Sequence, residues 1–207
     1  MIWFLLKKRN TPSIHSNKVT ILLTLFAVIY LIGFYLMALY FGYYKSIYIW
    51  GWNTISKFII PTAIIIMTSE VIRNVLLAQN VKFNKIITFV IMLLVDLVIY
   101  VDLYSMTTVQ KFAEVLGFTF FASVACNLLY NYNSGRYGMK GNIIYRLITV
   151  LYAYIIPYIP NVFIFFRSIL RMLYPYIIYL ILEYSYSKSN FAVAYKDKKK
   201  SIIQNTL

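Results

Sequence analysis

Cysteine and histidine are almost missing from this 207-residue chain, which carries one of each, Cys126 and His15. A lone cysteine excludes an intrachain disulfide framework, and the pair is too small a donor set for a Cys/His metal cage. No metal and no cofactor are therefore expected. Acidic residues are scarce too: six stand against 20 Lys and Arg, for a formal net charge of +14. Charged residues make up 13% of the chain, about half the roughly 25% of an ordinary soluble domain. Nucleic acid is not expected as a partner, because no recognisable motif accompanies the positive charge.

What the chain has in abundance is apolar surface, 61% of its residues, with 19% aromatic. Six apolar runs can be drawn, at about 19–44, 58–78, 86–104, 112–132, 143–158 and 162–184. A bilayer crossing takes about 20 residues, within a range of roughly 17–25, so the fifth run is marginal and the others comfortable. Helices are the expected form, since backbone polar groups in hydrocarbon must be satisfied within the segment. A membrane β-barrel needs alternating polar residues, and Ile64-Ile65-Ile66-Met67 excludes that pattern. The fold class expected is all-α, a polytopic bundle of six transmembrane helices. Segment 1–18 is read as cytoplasmic or interfacial, and 185–207 as a basic cytoplasmic tail. Pro61 is expected in the first turns of the second span, Pro157 and Pro160 in a tight turn, and Pro175 inside the sixth span.

Orientation follows from the cations between the runs. With the N-terminus inside, Lys7, Lys8, Arg9, Lys18, Lys82, Lys85, Arg136, Lys140, Lys188, Lys196 and Lys198-Lys199-Lys200 are cytoplasmic. Only Lys45, Lys57 and Lys111 are outside. The positive-inside rule then puts both termini in the cytoplasm, as an even number of spans requires. A cell-membrane protein results, with an anionic inner leaflet as one partner of its basic segments.

Eight ionisable residues fall inside these runs: Glu70, Asp96, Asp102 and Glu114 with Arg73, Arg146, Arg167 and Arg171. Each costs roughly 2.5–3.5 kcal/mol at mid-membrane on the lenient scale, so they should face protein or water and pair. Depth suggests an outer cluster of Asp102 and Glu114 with Arg167, and a midplane pair of Asp96 with Arg171. Glu70 should pair with Arg73 or Arg146. Such pairs either specify helix packing or line a path for an ion, proton or substrate. Thr119, Ser123, Asn127 and Asn131 recur every four residues and suit either role.

No catalytic constellation emerges. A Ser–Lys pair needs a lysine deep in a span, and the deep cations are all arginine, which stays protonated. His15 precedes the first span. Asp96 and Asp102, six apart, point about 120° away from each other on one helix, and Cys126 has no neighbouring base. An enzyme is not expected.

One stretch carries a likeness. Gly141-Asn142-Ile143-Ile144-Tyr145-Arg146-Leu147-Ile148, followed by Leu151-Tyr152-Ala153-Tyr154-Ile155-Ile156-Pro157-Tyr158-Ile159-Pro160-Asn161, resembles the membrane region before the catalytic domain of some long signal-peptidase-I-like proteins of low-GC Gram-positive bacteria. Tyr145, Arg146, Tyr152, Pro157 and Pro160 are its signature here. The resemblance implies a polytopic module working with a peptidase that removes signal peptides, and no catalytic residue of that family has a counterpart in this chain. The function expected is therefore an accessory or scaffold module, with a transporter as the alternative. A non-catalytic accessory or scaffold module for signal-peptide processing or export expects a membrane-protein partner and no enclosed cavity. A small transporter, or its substrate-binding membrane subunit, expects a pocket between helices ending at Asp96 and Arg171.

Overall fold

The structure, a computed structural model, describes residues 15–78, 82–100 and 119–204. Most of them are helical. Helix α1 is Ser16–Phe41, and α2 is Trp52–Leu77 with a widened π turn over Ile55–Ile59. Then come α3 (Lys82–Tyr100), α4 (Phe121–Arg136), α5 (Lys140–Ile155) and α6 (Ile164–Gln204). Two short strands, β1 (Tyr43–Lys45) and β2 (Tyr158–Pro160), pair antiparallel. Among the described residues, three stretches are long and apolar enough to cross a membrane: Ser16–Phe41, Trp52–Leu77 and Phe165–Tyr186.

The helices follow the six apolar runs in order, and their ends differ for local reasons. Helix α1 stops before Gly42, whose φ of 84° and extended ψ suit only glycine. Helix α2 starts at Trp52, six residues earlier than hydropathy suggests, so Pro61 lies well inside it. The π turn sits just before that proline, which has no N–H to continue an ordinary ladder. The tight turn expected at Pro157 and Pro160 is instead a strand: Pro160 lies opposite Tyr43, and Tyr158 opposite Lys45. Proline fits because a two-stranded ribbon consists of edges. Ser46 N–H donates to the Pro157 carbonyl at 2.7 Å, and Asn161 N–H to that of Gly42 at 3.0 Å. Helix α6 keeps Pro175 in its interior and continues to Gln204, through most of the segment read as a tail.

The chain runs up and down, which sets two ends. At one, the Ser16 hydroxyl donates to the Tyr137 carbonyl just beyond α4, and His15 lies 5.6 Å from Tyr186 of α6, ring to ring. At the other, β1 and β2 close the bundle, and Phe41 packs 5.6 Å from Phe163. The start of α1 and Tyr186 of α6 therefore lie at the same end. Exposed Tyr40, Tyr43, Tyr44, Trp50 and Trp52 gather at the sheet end, the aromatic composition of a membrane–water boundary.

Burial is inverted relative to a protein in water. Ile21 is 70% exposed and Leu39 73%, whereas Glu70 and Arg73 are fully buried. Along α1 the inward stripe is Val19, Leu23, Ala27, Tyr30, Phe34 and Ala38, spaced at three and four residues as one helix face. The rest of that helix presents Ile, Leu and Val outward. Such an exterior is costly in water at about 25 cal/mol per Å² and neutral in lipid.

Close approach of α1 and α5 depends on Gly141. A Cβ there would meet Leu23 Cδ1 at 2.7 Å and Asn133 Nδ2 at 3.3 Å, with the Thr20 backbone at 3.5 Å behind. Helical Gly135 has nothing within 4 Å. Gly141→Val is expected to destabilise the detergent-purified protein by about 1–3 kcal/mol through overpacking, while Gly135→Ala leaves it unchanged or slightly more stable. Paired thermal unfolding curves check this. Equal melting temperatures for the two variants would mean that the α1–α5 contact is loose.

Candidate functional site

Three helices each project two polar side chains at helical spacing, and the pairs converge. Glu70 and Arg73 lie on α2, Asn127 and Asn131 on α4, Asn142 and Arg146 on α5. Residues three or four apart share a face, so each helix turns one polar stripe inward while its other faces stay apolar. Asp96 of α3 completes the cluster.

Glu70 is the hub. Its Oε1 accepts from Arg73 Nε at 3.2 Å and from Arg146 Nη1 at 2.7 Å, and its Oε2 accepts from Asn142 Nδ2 at 2.9 Å. Arg146 also donates through Nη1 to Ser69 Oγ at 3.0 Å and through Nη2 to Asp96 Oδ1 at 3.1 Å. Asp96 Oδ2 takes Asn127 Nδ2 at 2.7 Å. Arg73 also donates to Asn127 Oδ1, at 2.8 Å, and to Asn131 Oδ1. Asn142 is held in turn by Asn133, whose Nδ2 donates to its Oδ1 at 2.7 Å. The Tyr130 ring lies 5.4 Å from the Arg73 guanidinium carbon and 5.2 Å from that of Arg146, within cation–π range. Two carboxylates and two guanidiniums make the cluster neutral, and each charged atom named has a hydrogen-bonded partner, which removes most of the burial cost.

Expected and observed pairings differ in one place. Glu70 pairs with Arg73 and also with Arg146. Asp96 pairs with Arg146, not with Arg171 as depth alone suggests. Depth orders charges along the bundle but not around it: Asp96 faces α5, whereas Arg171 reaches the interior from α6. Arg171 lies against Tyr30, Tyr152 and Cys126. Among the described residues no carboxylate pairs with Arg167 or Arg171. Asp102 and Glu114, expected to join Arg167, lie outside the described residues.

Beside the network is a cavity of about 320 Å³ between the helices, at the lower end of the roughly 300–1,000 Å³ of small-molecule sites. Asp96 and Arg146 form part of one wall, and Arg171 and Pro175 part of another. Tyr30, Tyr130 and Tyr152 border it with their rings, and Thr119, Ser123 and Cys126 continue the α4 stripe along it. Among the described residues no three His, Cys, Asp or Glu side chains gather as a metal site would require.

The five residues of the resemblance have packing roles. Tyr145 is in the main apolar core and Arg146 in the network. Tyr152 packs 6.0 Å from Phe34. Pro157 and Pro160 anchor the small sheet. No family model, no curated protein and no solved structure matches this chain.

Asn142, Asn133, Ser69 and Tyr130 were not singled out from the sequence. A signal existed for Asn142, four residues before Arg146 and thus on its face. Asn133 offered none, because its partner is set by the turn at Gly138 (φ 94°).

Since Glu70 neutralises two guanidiniums and Asp96 one, their removal should be unequal. Glu70→Gln is expected to cost about 3–5 kcal/mol, the range for breaking a buried pair. Asp96→Asn should cost clearly less, because its amide oxygen still accepts from Arg146 and Glu70 remains in place. Unfolding in mixed micelles measures both, and an Asp96→Asn loss as large as that of Glu70→Gln would contradict the hub assignment.

Proposed function

We propose that this chain is a multi-pass integral-membrane protein that binds a small ligand within its bundle, as a small transporter or the substrate-binding membrane subunit of one. The cavity bordered by both Asp96 and Arg171 carries this reading. It is a space between helices whose lining combines tyrosines with a few polar groups, the composition of a small-molecule site. Six crossings with both termini cytoplasmic complete the arrangement. The sheet end, with Lys45 and Lys57, then faces outward, and the end with Lys18, Arg136 and Lys140 faces the positive-inside side. No covalent chemistry belongs to this role.

A second reading keeps the chain as a non-catalytic accessory or scaffold module for signal-peptide processing or export. The likeness over 141–161 and the broad apolar outer faces favour it. It stands second because that role has no need of a charged cavity.

Affinity purification from the native membrane in gentle detergent separates the two. Recovery of the chain alone, or with nucleotide-hydrolysing subunits, is expected. Near-stoichiometric recovery of a signal peptidase or another export protein would remove the transport reading and establish the accessory one.

A further inference from the structure

Among the described residues around the cavity the charges do not balance. Asp96 is already engaged by Arg146 and Asn127, and the four-member network sums to zero. Among the described residues Arg171 has no carboxylate partner. It is exposed along part of its length, interacts electrostatically with Tyr30 of α1 and Tyr152 of α5, and contributes to the cavity wall. Among the described residues its polar neighbours are the phenols of Tyr30 and Tyr152 and the Cys126 thiol, all uncharged at neutral pH. Tyr152 also faces Arg167, one turn earlier on α6. A fixed positive charge inside low-dielectric walls raises the local concentration of anions. A guanidinium, with five N–H donors in a planar fork, is the side chain best shaped for a carboxylate or phosphate. The tyrosine rings around it supply flat apolar walls and hydroxyls able to donate to the same anion.

Resting on the ligand-binding reading above, we infer that the cavity takes an amphiphilic anion: one carboxylate or phosphate on Arg171, with an apolar body between Tyr30, Tyr130 and Tyr152. A bulky cation is disfavoured by Arg171, and Asp96 offers it little because Arg146 already neutralises that carboxylate. A free solute and a membrane lipid both carry the required chemistry.

The test uses the full chain. In detergent it is titrated calorimetrically with 3-phenylpropionate, with the neutral amide of that acid and with 3-phenylpropylamine. In nanodiscs of phosphatidylcholine, with and without phosphatidylglycerol, bound lipid is read by native mass spectrometry. One anion per chain is expected, bound at least about tenfold more tightly than the amide or amine, a difference of about 1.4 kcal/mol. Arg171→Gln should reduce that preference to about threefold or less, and Arg171→Lys should keep part of it. Val150→Trp, which fills the cavity from α5, should abolish binding and serves as the deciding variant if Arg171→Gln does not fold. One-to-one binding of phenylpropionate identifies a solute-type ligand. Retention of one phosphatidylglycerol, lost in the Arg171 or Val150 variant, identifies a lipid. Equal binding of acid, amide and amine, or an anion preference untouched by Arg171→Gln, overturns the anion assignment and leaves a ligand cavity standing. No binding of any probe in either setting overturns the cavity reading as well.

Discussion

The Glu70 carboxylate is the group on which the bundle depends. It lies fully buried between two arginines from different helices, in surroundings where an unmatched charge is not tolerated. Its neighbours are fixed accordingly. Arg73 on the same helix can reach it at three-residue spacing, but Arg146 must come from α5 and Asn142 from one turn earlier on α5. Satisfying one carboxylate thus sets the rotation of α5 against α2. Arg146 then carries the constraint to Asp96 on α3, and Asn127 carries it from Asp96 to Arg73 by way of α4. Four helices are registered by one closed circuit of hydrogen bonds.

That circuit explains why a chain with so apolar an exterior has a specific interior. Hydrocarbon side chains in lipid give helices little reason to prefer one neighbour, since lipid tails are as apolar as leucine. Close packing and polar contacts must supply the preference. Here α1 joins α5 through small contacts at Gly141 and through the Leu23 stripe, whereas α2, α3, α4 and α5 are joined by charge. The outward Ile and Leu residues, exposed in the bare molecule, need only a bilayer.

Much of this was legible in the sequence, and the reason differs by feature. The helices could be read because long apolar runs with few charges mark segments that satisfy their backbone groups internally. The link of Glu70 to Arg73 was legible from spacing on one helix, and Arg146 was a candidate because it lies at a similar depth. The choice of Arg146 over Arg171 for Asp96 was not legible, since it depends on which way α3 and α5 are turned about their axes. The small sheet was missed because hydropathy sees Tyr43-Tyr44-Lys45 and Tyr158-Ile159-Pro160 as loop ends. Their pairing is a contact across more than a hundred residues. The early start of α2 was missed because polar Asn53, Thr54 and Ser56 break the apolar run without breaking the helix.

Buried charge in a membrane bundle can act as scaffold or as site, and one arrangement of residues can serve both roles. A site for a charged ligand in a bilayer needs walls that do not move to satisfy themselves when the ligand is absent. Asp96 and Arg171 both border the cavity, so an Asp96 free to swing would compete for that guanidinium. Arg146 and Asn127 hold both oxygens of Asp96, and Glu70 in turn holds Arg146. Among the described residues, the neutral circuit therefore leaves Arg171 outside its ion pairs. Preorganisation of this type lowers the cost of binding by fixing polar groups in advance. On the proposed ligand-binding reading, the stability of the bundle and the chemistry of the cavity rest on the same few residues, Glu70, Arg146 and Asp96, with Arg171 outside their circuit as the proposed contact for an anion.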